Sequence, residues 1–269
     1  MTALLGAATA VGDLLAAPFG GHAGWALVVW SALFGLVAIV LFKLATPQDR
    51  LAAARDRLIG RLLEAALFQT SLRTIARVQG AVLVANLRYL VLALPAIAAL
   101  VIPLALVLPQ LESRLGRQPL AVGEAVLVTA EMDGRADATL EAGTGLVIEA
   151  GPVRDAARGE LVWRVRAEDA GRHELRLLSD GRDHTLTVPV GLGGLPAIAA
   201  GRHQGWLDQL LFDPTARTLP AGAALRSITL DLPGREVRIL GLALPWIVSF
   251  TILSLAAGLL LKKPLRVEI

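Results

Sequence analysis

Cysteine is absent from the 269 residues, which removes disulfides, thiolate metal sites and thiol nucleophiles and leaves the redox compartment undetermined. Histidine is scarce, with four copies, so little imidazole is available for metal or acid–base chemistry. Lysine is rare where arginine, alanine and leucine abound, so single Arg or Ala residues carry little information and patterns must outweigh counts. The formal charge is only +3, and aromatics make up 4% of the chain without gathering among the basic residues, which argues against a nucleic-acid surface. What the chain has in excess is apolar character. It is 55% hydrophobic, with a mean hydropathy of +0.61, above the share usual for a soluble domain. A membrane protein is the first hypothesis.

From Trp25 to Phe42 the chain reads WALVVWSALFGLVAIVLF, without a charge, with Trp at one end and Lys43 just past the other. That pattern predicts a membrane-spanning helix with interfacial anchors. Tyr89 to Leu108 predicts a second span, and Ile239 to Leu261 a third. The residues before Trp25 lack a basic n-region, so the first segment does not resemble a cleaved signal, and Leu4 to Phe19 is expected along the membrane surface. Basic residues outnumber acids between residues 43 and 88, and Lys262, Lys263 and Arg266 follow the third span. Positive-inside then places both segments in the cytoplasm and the N-terminus outside. The expected localisation is the cytoplasmic (inner) membrane.

The predicted order is an outside segment at 1–24, a span at 25–45, a cytoplasmic helical hairpin at 46–88 and a second span at 89–111. An outside β-sandwich follows at 112–190, then a linker with a short helix at 191–237, a third span at 238–261 and a cytoplasmic tail at 262–269. Within the hairpin, Thr46-Pro47-Gln48-Asp49 reads as a helix start with Thr at the N-cap. Leu51, Leu58, Leu62 and Ala65 fall on one face, and Arg50, Arg57, Arg61 and Glu64 on another. Phe68-Gln69-Thr70-Ser71 offers a break and a new N-cap, from which a second helix runs through Arg73 and Arg77 into the span. At its mouth stand Asn86, Arg88 and Tyr89. Two readings stay open: Arg88 snorkels to headgroups beside Tyr89, or Asn86 and Arg88 face inward and line a polar groove between the spans. Pro95, Pro103 and Pro109 are expected to bend this long helix.

From Leu120 to Val190 the periodicity changes to two. Leu161, Trp163, Val165 and Ala167 alternate with polar neighbours, as do Val126, Val128 and Ala130, and Leu186, Val188 and Val190. Asp133-Gly134 and Asp180-Gly181 supply hairpin turns, and six or seven strands fit. Trp163 shares the inner phase and is expected in the core. Ser179, Asp180, Asp183 and His184 straddle a turn, where such residues serve conformation more often than catalysis. Gly191 to Gly194 lacks the Lys and helix of a phosphate loop and reads as linker. The run WLDQLLF, residues 206–212, predicts a short amphipathic helix resting on the outer membrane-facing surface. No catalytic, cofactor or metal site is identified, and no small-molecule substrate.

EDAGRHELRL, residues 168–177, resembles the Asp-x-Gly-x-Tyr corner of immunoglobulin-like domains, with His173 where the Tyr would stand. The overall order of spans resembles the three-helix members of the YidC-type insertase superfamily. That resemblance implies a polar groove between spans, often holding a basic residue, and the positions it touches here are Asn86 and Arg88. The β insertion precedes the third span, whereas bacterial members of that superfamily place theirs after the first helix. The expected fold is thus an α+β membrane protein: three transmembrane helices, a cytoplasmic helical hairpin and an extracytoplasmic immunoglobulin-like β-sandwich. Two functions compete. One is a non-enzymatic membrane subunit or scaffold whose sandwich engages a partner, with lipids and other membrane or periplasmic proteins, or itself, as partners. The other is an insertase-like biogenesis factor. A transporter is disfavoured because Ser31, Ser249, Thr251 and Ser254 are the polar side chains deep in the spans, with no carboxylate or His among them.

Overall fold

The computed structural model describes residues 9–14, 16–19, 22–67, 72–134, 136–239, 241–265 and 267. The expected N-cap at Phe68 to Ser71, and Leu4 to Ala8 of the surface segment, lie outside them. The fold is mixed α and β, in two compact units: 28–104 with 248–269, and 1–27 with 105–247.

The first unit is helical. Helix α1 (Ala23–Ala45) is followed by α2 (Gln48–Leu67) and α3 (Leu72–Leu111), and α5 (Trp246–Leu265) closes the chain. Among the described residues, three helices, at 23–45, 78–116 and 246–265, are long and apolar enough to cross a membrane. At about 1.5 Å per residue, the 40 residues of α3 run about 60 Å, twice the apolar thickness of a bilayer. The helix continues through Pro95, Pro103 and Pro109.

Within this unit α1 and α5 meet at small residues. A Cβ on Gly35 would lie 2.6 Å from the Ser254 carbonyl oxygen and 2.8 Å from Ala257 Cβ, so only glycine permits this approach. Phe34 and Phe250 pack tilted rings 5.2 Å apart, and Lys43 Nζ donates to the Leu265 carbonyl at 2.8 Å. Two helix boundaries differ from expectation. Thr46 is no N-cap: its N–H bonds the Phe42 carbonyl at 3.1 Å, continuing α1, and its buried hydroxyl has no hydrogen-bond partner among the described residues. The third long helix starts at Trp246, not at 238, because Val237–Ile239 (β9) and Leu242–Leu244 (β10) form a small antiparallel hairpin. Pro245 explains the shift: it biases Leu244 to extended backbone and can open a helix but not continue one. On α2, Leu51 is buried but Leu62 is 50% exposed, so the apolar face is covered at one end only.

The second unit holds the sheets. β4 (Glu160–Ala167) lies between β3 (Leu146–Asp155) and β1 (Ala125–Met132), and β8 (Leu225–Leu230) and β7 (Gly201–His203) complete a five-stranded sheet in the order β3-β4-β1-β8-β7. A three-stranded sheet runs β2 (Ala138–Ala142), β5 (Gly171–Ser179), β6 (Arg182–Val190). Alternation decides the inner faces. In β1 and β4, Val126 opposes Val165, Val128 opposes Trp163 and Ala130 opposes Leu161, and all six are buried. Leu140, Leu175, Leu177, Leu186 and Val188 of the smaller sheet join them in one apolar cluster, with Trp163 3% exposed inside it.

Two expectations for this region change. Asp180-Gly181 makes the β5–β6 hairpin, with both residues at positive φ as a two-residue turn requires, but Asp133-Gly134 does not make one. β1 and β2 belong to different sheets, so that turn carries the chain between them. The segment after 190 holds the expected short helix, at Trp206–Phe212, but it also supplies two strands of the large sheet and so is more than a linker. β8 pairs with β1 from Val128↔Leu230 to Met132↔Leu225, and buries Leu225, Ile228 and Leu230. A register shift at Glu131/Met132 breaks its period of two, which is why alternation did not reveal it. The ends of the domain meet, since Arg117 bridges Gly234 and the Gln118 N–H bonds the Pro233 carbonyl at 3.0 Å.

Candidate functional site

Arg57, Gly60 and Arg61 fall three and four residues apart on α2, and therefore on one face. Gly80, Ala81, Val84, Ala85 and Arg88 make the matching stripe on α3. The two stripes line a groove of about 600 Å³, with Ala54 at its side. Small side chains leave the space: a Cβ at Gly60 or Gly80 would meet nothing within 4 Å. Of the described residues that line it, three are arginines and none is acidic. All three arginines are exposed enough to keep water, so the groove is a wet cationic surface and not a buried charge. Its chemistry suits anions, because a guanidinium offers paired donors matched to carboxylate or phosphate oxygens.

Of the residues singled out in the sequence, Arg88 lines this groove, while Asn86 is exposed and Tyr89 half-buried, and neither lines it. The groove lies between α2 and α3, so its partners for Arg88 are Arg57 and Arg61 of the hairpin. By sequence these two fall on a different face of α2 from Leu51, Leu58 and Leu62. Their spacing with Gly60 was visible, but which helix would face them was not.

A second constellation sits in the β unit. The buried Asp213 carboxylate accepts a hydrogen bond from Arg117 Nη1, another from the Ala200 N–H at 2.8 Å, and faces His203 Nε2 at 3.2 Å. Phe212 packs its ring 5.8 Å from His203. Asp213 thereby clips the 198–213 segment onto Arg117, just past the turn Glu112–Gly116 that follows α3, and its oxygens are occupied by that task. His184 is buried on β6 with Nε2 lacking a partner among the described residues, and burial, reinforced by the nearby Arg202, lowers its pKa. Asp180 instead accepts the Ala224 N–H at 3.0 Å, and Asp183 points to solvent. The Ser179–His184 group is a folded hairpin, not a converging acid–base set. Among the described residues, no group of three His, Asp or Glu could hold a metal ion.

A third feature was not among the residues singled out in the sequence. Arg114, in the π-helical turn Glu112–Gly116, is 1% exposed. It donates to the Gln110 side chain at 2.7 Å, to the Thr9 carbonyl at 3.0 Å and to Asp13 at 2.6 Å. Gly12 makes the room, since a Cβ there would lie 2.8 Å from Arg114 Cζ. Asp13, the sole acid before Trp25, was the available signal.

No family model, no curated protein and no solved structure matches the chain.

Proposed function

We propose that this chain is a non-enzymatic integral membrane subunit or scaffold whose outside β domain engages a partner protein. The observation that carries this reading is how bare the long helices are. Only 11% of the apolar window is buried inside the chain for 78–116 and for 246–265, and 33% for 23–45. Leu90, Val91, Leu94, Ile97 and Val101 are each at least half exposed, a surface that water would not tolerate and that lipid or neighbouring helices would cover. The charge bias around the spans supports an N-out, C-in orientation in the cytoplasmic membrane, with α2 inside and the β domain outside.

We read the β domain as an immunoglobulin-like sandwich. Two sheets contribute to one core, and His173 Nε2 bonds the Asp169 carbonyl at 2.8 Å, the backward tie that a tyrosine makes at the corner of such domains. The outer face of the five-stranded sheet presents Leu127, Val147 and Val153 beside Glu149, which pairs with Arg164 at 2.9 Å and Arg166 at 3.1 Å. An apolar patch framed by charge fits a protein partner. A photoreactive residue at 127, 147 or 153, activated in native membranes, should give a discrete protein adduct. The absence of any protein adduct from all three positions would contradict the partner role.

The arginine groove favours a second reading, an insertase-like one. A cationic, hydrated groove on the cytoplasmic side would attract acidic or polar parts of a client segment and lower the cost of bringing them to the bilayer. A photoreactive residue at Ala85 should then crosslink newly made membrane proteins. Adducts with lipid alone would rule this reading out.

A further inference from the structure

Helix α4 (Trp206–Phe212) turns its large apolar side chains to solvent: Trp206 is 55% exposed, Leu207 48%, Leu211 41% and Phe212 55%. Seven residues are too few to hold a helix in water unaided, so tertiary contacts must fix it. They do so from the polar side. Gln209 is buried, accepts the His203 N–H at 2.7 Å and donates to the Asp213 carbonyl. The apolar side chains are thereby presented outward by a rigid base.

The position of that base bears on what covers them. Arg117, which follows the turn that ends α3, donates to the Phe212 carbonyl at 3.1 Å and to the Asp213 carboxylate, while its Nε faces Glu112 at 3.8 Å. Glu112 accepts the indole N–H of Trp246 at 2.7 Å on its other oxygen, and Trp246 is the first residue of α5. A single chain of polar contacts therefore ties the end of α4 to the points where one long apolar helix ends and another begins. Glu112 is also the first charged residue after Arg88 along the sequence, so this tie marks the edge of the apolar stretch.

We propose that α4 is an interfacial anchor whose Trp206, Leu207 and Leu211 lie in the outer headgroup layer of the bilayer that the long helices cross. The inference rests on the membrane reading above. Half-buried Trp and Leu at that depth are what an interfacial helix uses. The helix carries Asp208 and no basic residue, so its attraction is apolar and does not depend on anionic lipid.

The test uses the full chain, which has no cysteine to remove. Single cysteines at Leu211, at the exposed hairpin residue Arg182 and at the exposed span residue Val101 carry an environment-sensitive fluorophore in vesicles of phosphatidylcholine, with and without phosphatidylglycerol. A nitroxide on the lipid headgroup should quench the label at 211 to a similar extent in both lipids and leave 182 unquenched, while a nitroxide deep in the acyl chains quenches 101. A label at 211 that iodide quenches as readily as the one at 182, with 101 still lipid-quenched, overturns the anchor and leaves the membrane reading intact. A label at 211 shielded from iodide and lipid alike would mean that protein covers α4, and would overturn it too. Loss of lipid quenching at 101 overturns both readings. A second label at Leu207 must repeat the result at 211, which guards against a local fault at one substituted position.

Discussion

Strand β8 is the part of the domain that the sequence concealed, and deleting it is the sharpest perturbation available. A fragment of residues 117–191 retains β1 to β6 but leaves the edge of β1 open from Val128 to Met132. It also removes Leu225 and Ile228, both fully buried, and Leu230, 4% exposed. Each such side chain contributes about 1.5–3 kcal/mol of burial, so the loss is about 5–9 kcal/mol before the backbone pairing with β1 is counted. Net stabilities of domains are about 5–15 kcal/mol, so the fragment should be unfolded or molten. Residues 117–235 should instead be soluble, β-rich by circular dichroism and cooperative in urea, because the two ends already meet at the Arg117–Gly234 bridge. Ile228→Ala in this longer fragment should cost about 2–5 kcal/mol, which at a slope of about 2 kcal/mol per molar urea is a fall of about 1–2.5 M in the midpoint. A cooperative transition for 117–191 at the midpoint of 117–235 would refute the reasoning.

Gly35→Ala should lower the thermal midpoint of the full chain in detergent, because its Cβ would meet the Ser254 carbonyl at 2.6 Å, whereas Gly60→Ala, into open space, should be neutral or raise it through helix propensity of about 1 kcal/mol. His184 has a lowered pKa in the fold, so the unfolded chain takes up its proton first as pH falls past about 6.5. Its contribution to stability is full above that pH and is lost below it, and urea midpoints of 117–235 between pH 7.5 and 5.5 should decline less steeply for His184→Gln; identical slopes would remove the argument. Arg114→Ala should destabilise the full chain by about 2–5 kcal/mol by vacating a buried site, while Asp13→Asn, whose side chain is 61% exposed, should cost under about 1 kcal/mol in the same detergent melt.

Much of this fold could be read from spacing alone. The inward phases of β1, β4 and β6 and the burial of Trp163 follow from a period of two, and the long helices from runs free of charge. The Asp180-Gly181 turn needed only its two residues. β8 escaped because a bulge sets Leu225 three residues from Ile228, so that a buried strand reads as a Gly- and Pro-flanked linker. The start of α5 escaped because a Leu-rich hairpin and a span share the same composition, and Pro245 alone separates them. The groove was half legible. Arg88 stood out at the mouth of an apolar run, but Arg57 and Arg61 meet it only once α2 folds back on α3. Asn86 shares the sequence neighbourhood of Arg88 without sharing its face, two residues apart on a helix of 3.6 residues per turn.

We propose that the long helices cross a membrane with α2 and the β domain on opposite sides of it, and this is the claim to test. Single cysteines at Ala53, exposed on α2, and at Arg182, exposed at the tip of the β5–β6 hairpin, test it directly in this cysteine-free chain. In intact cells a membrane-impermeant maleimide should label position 182 at once and reach position 53 only after the membrane is opened. Labelling of both positions from the same side would contradict the account.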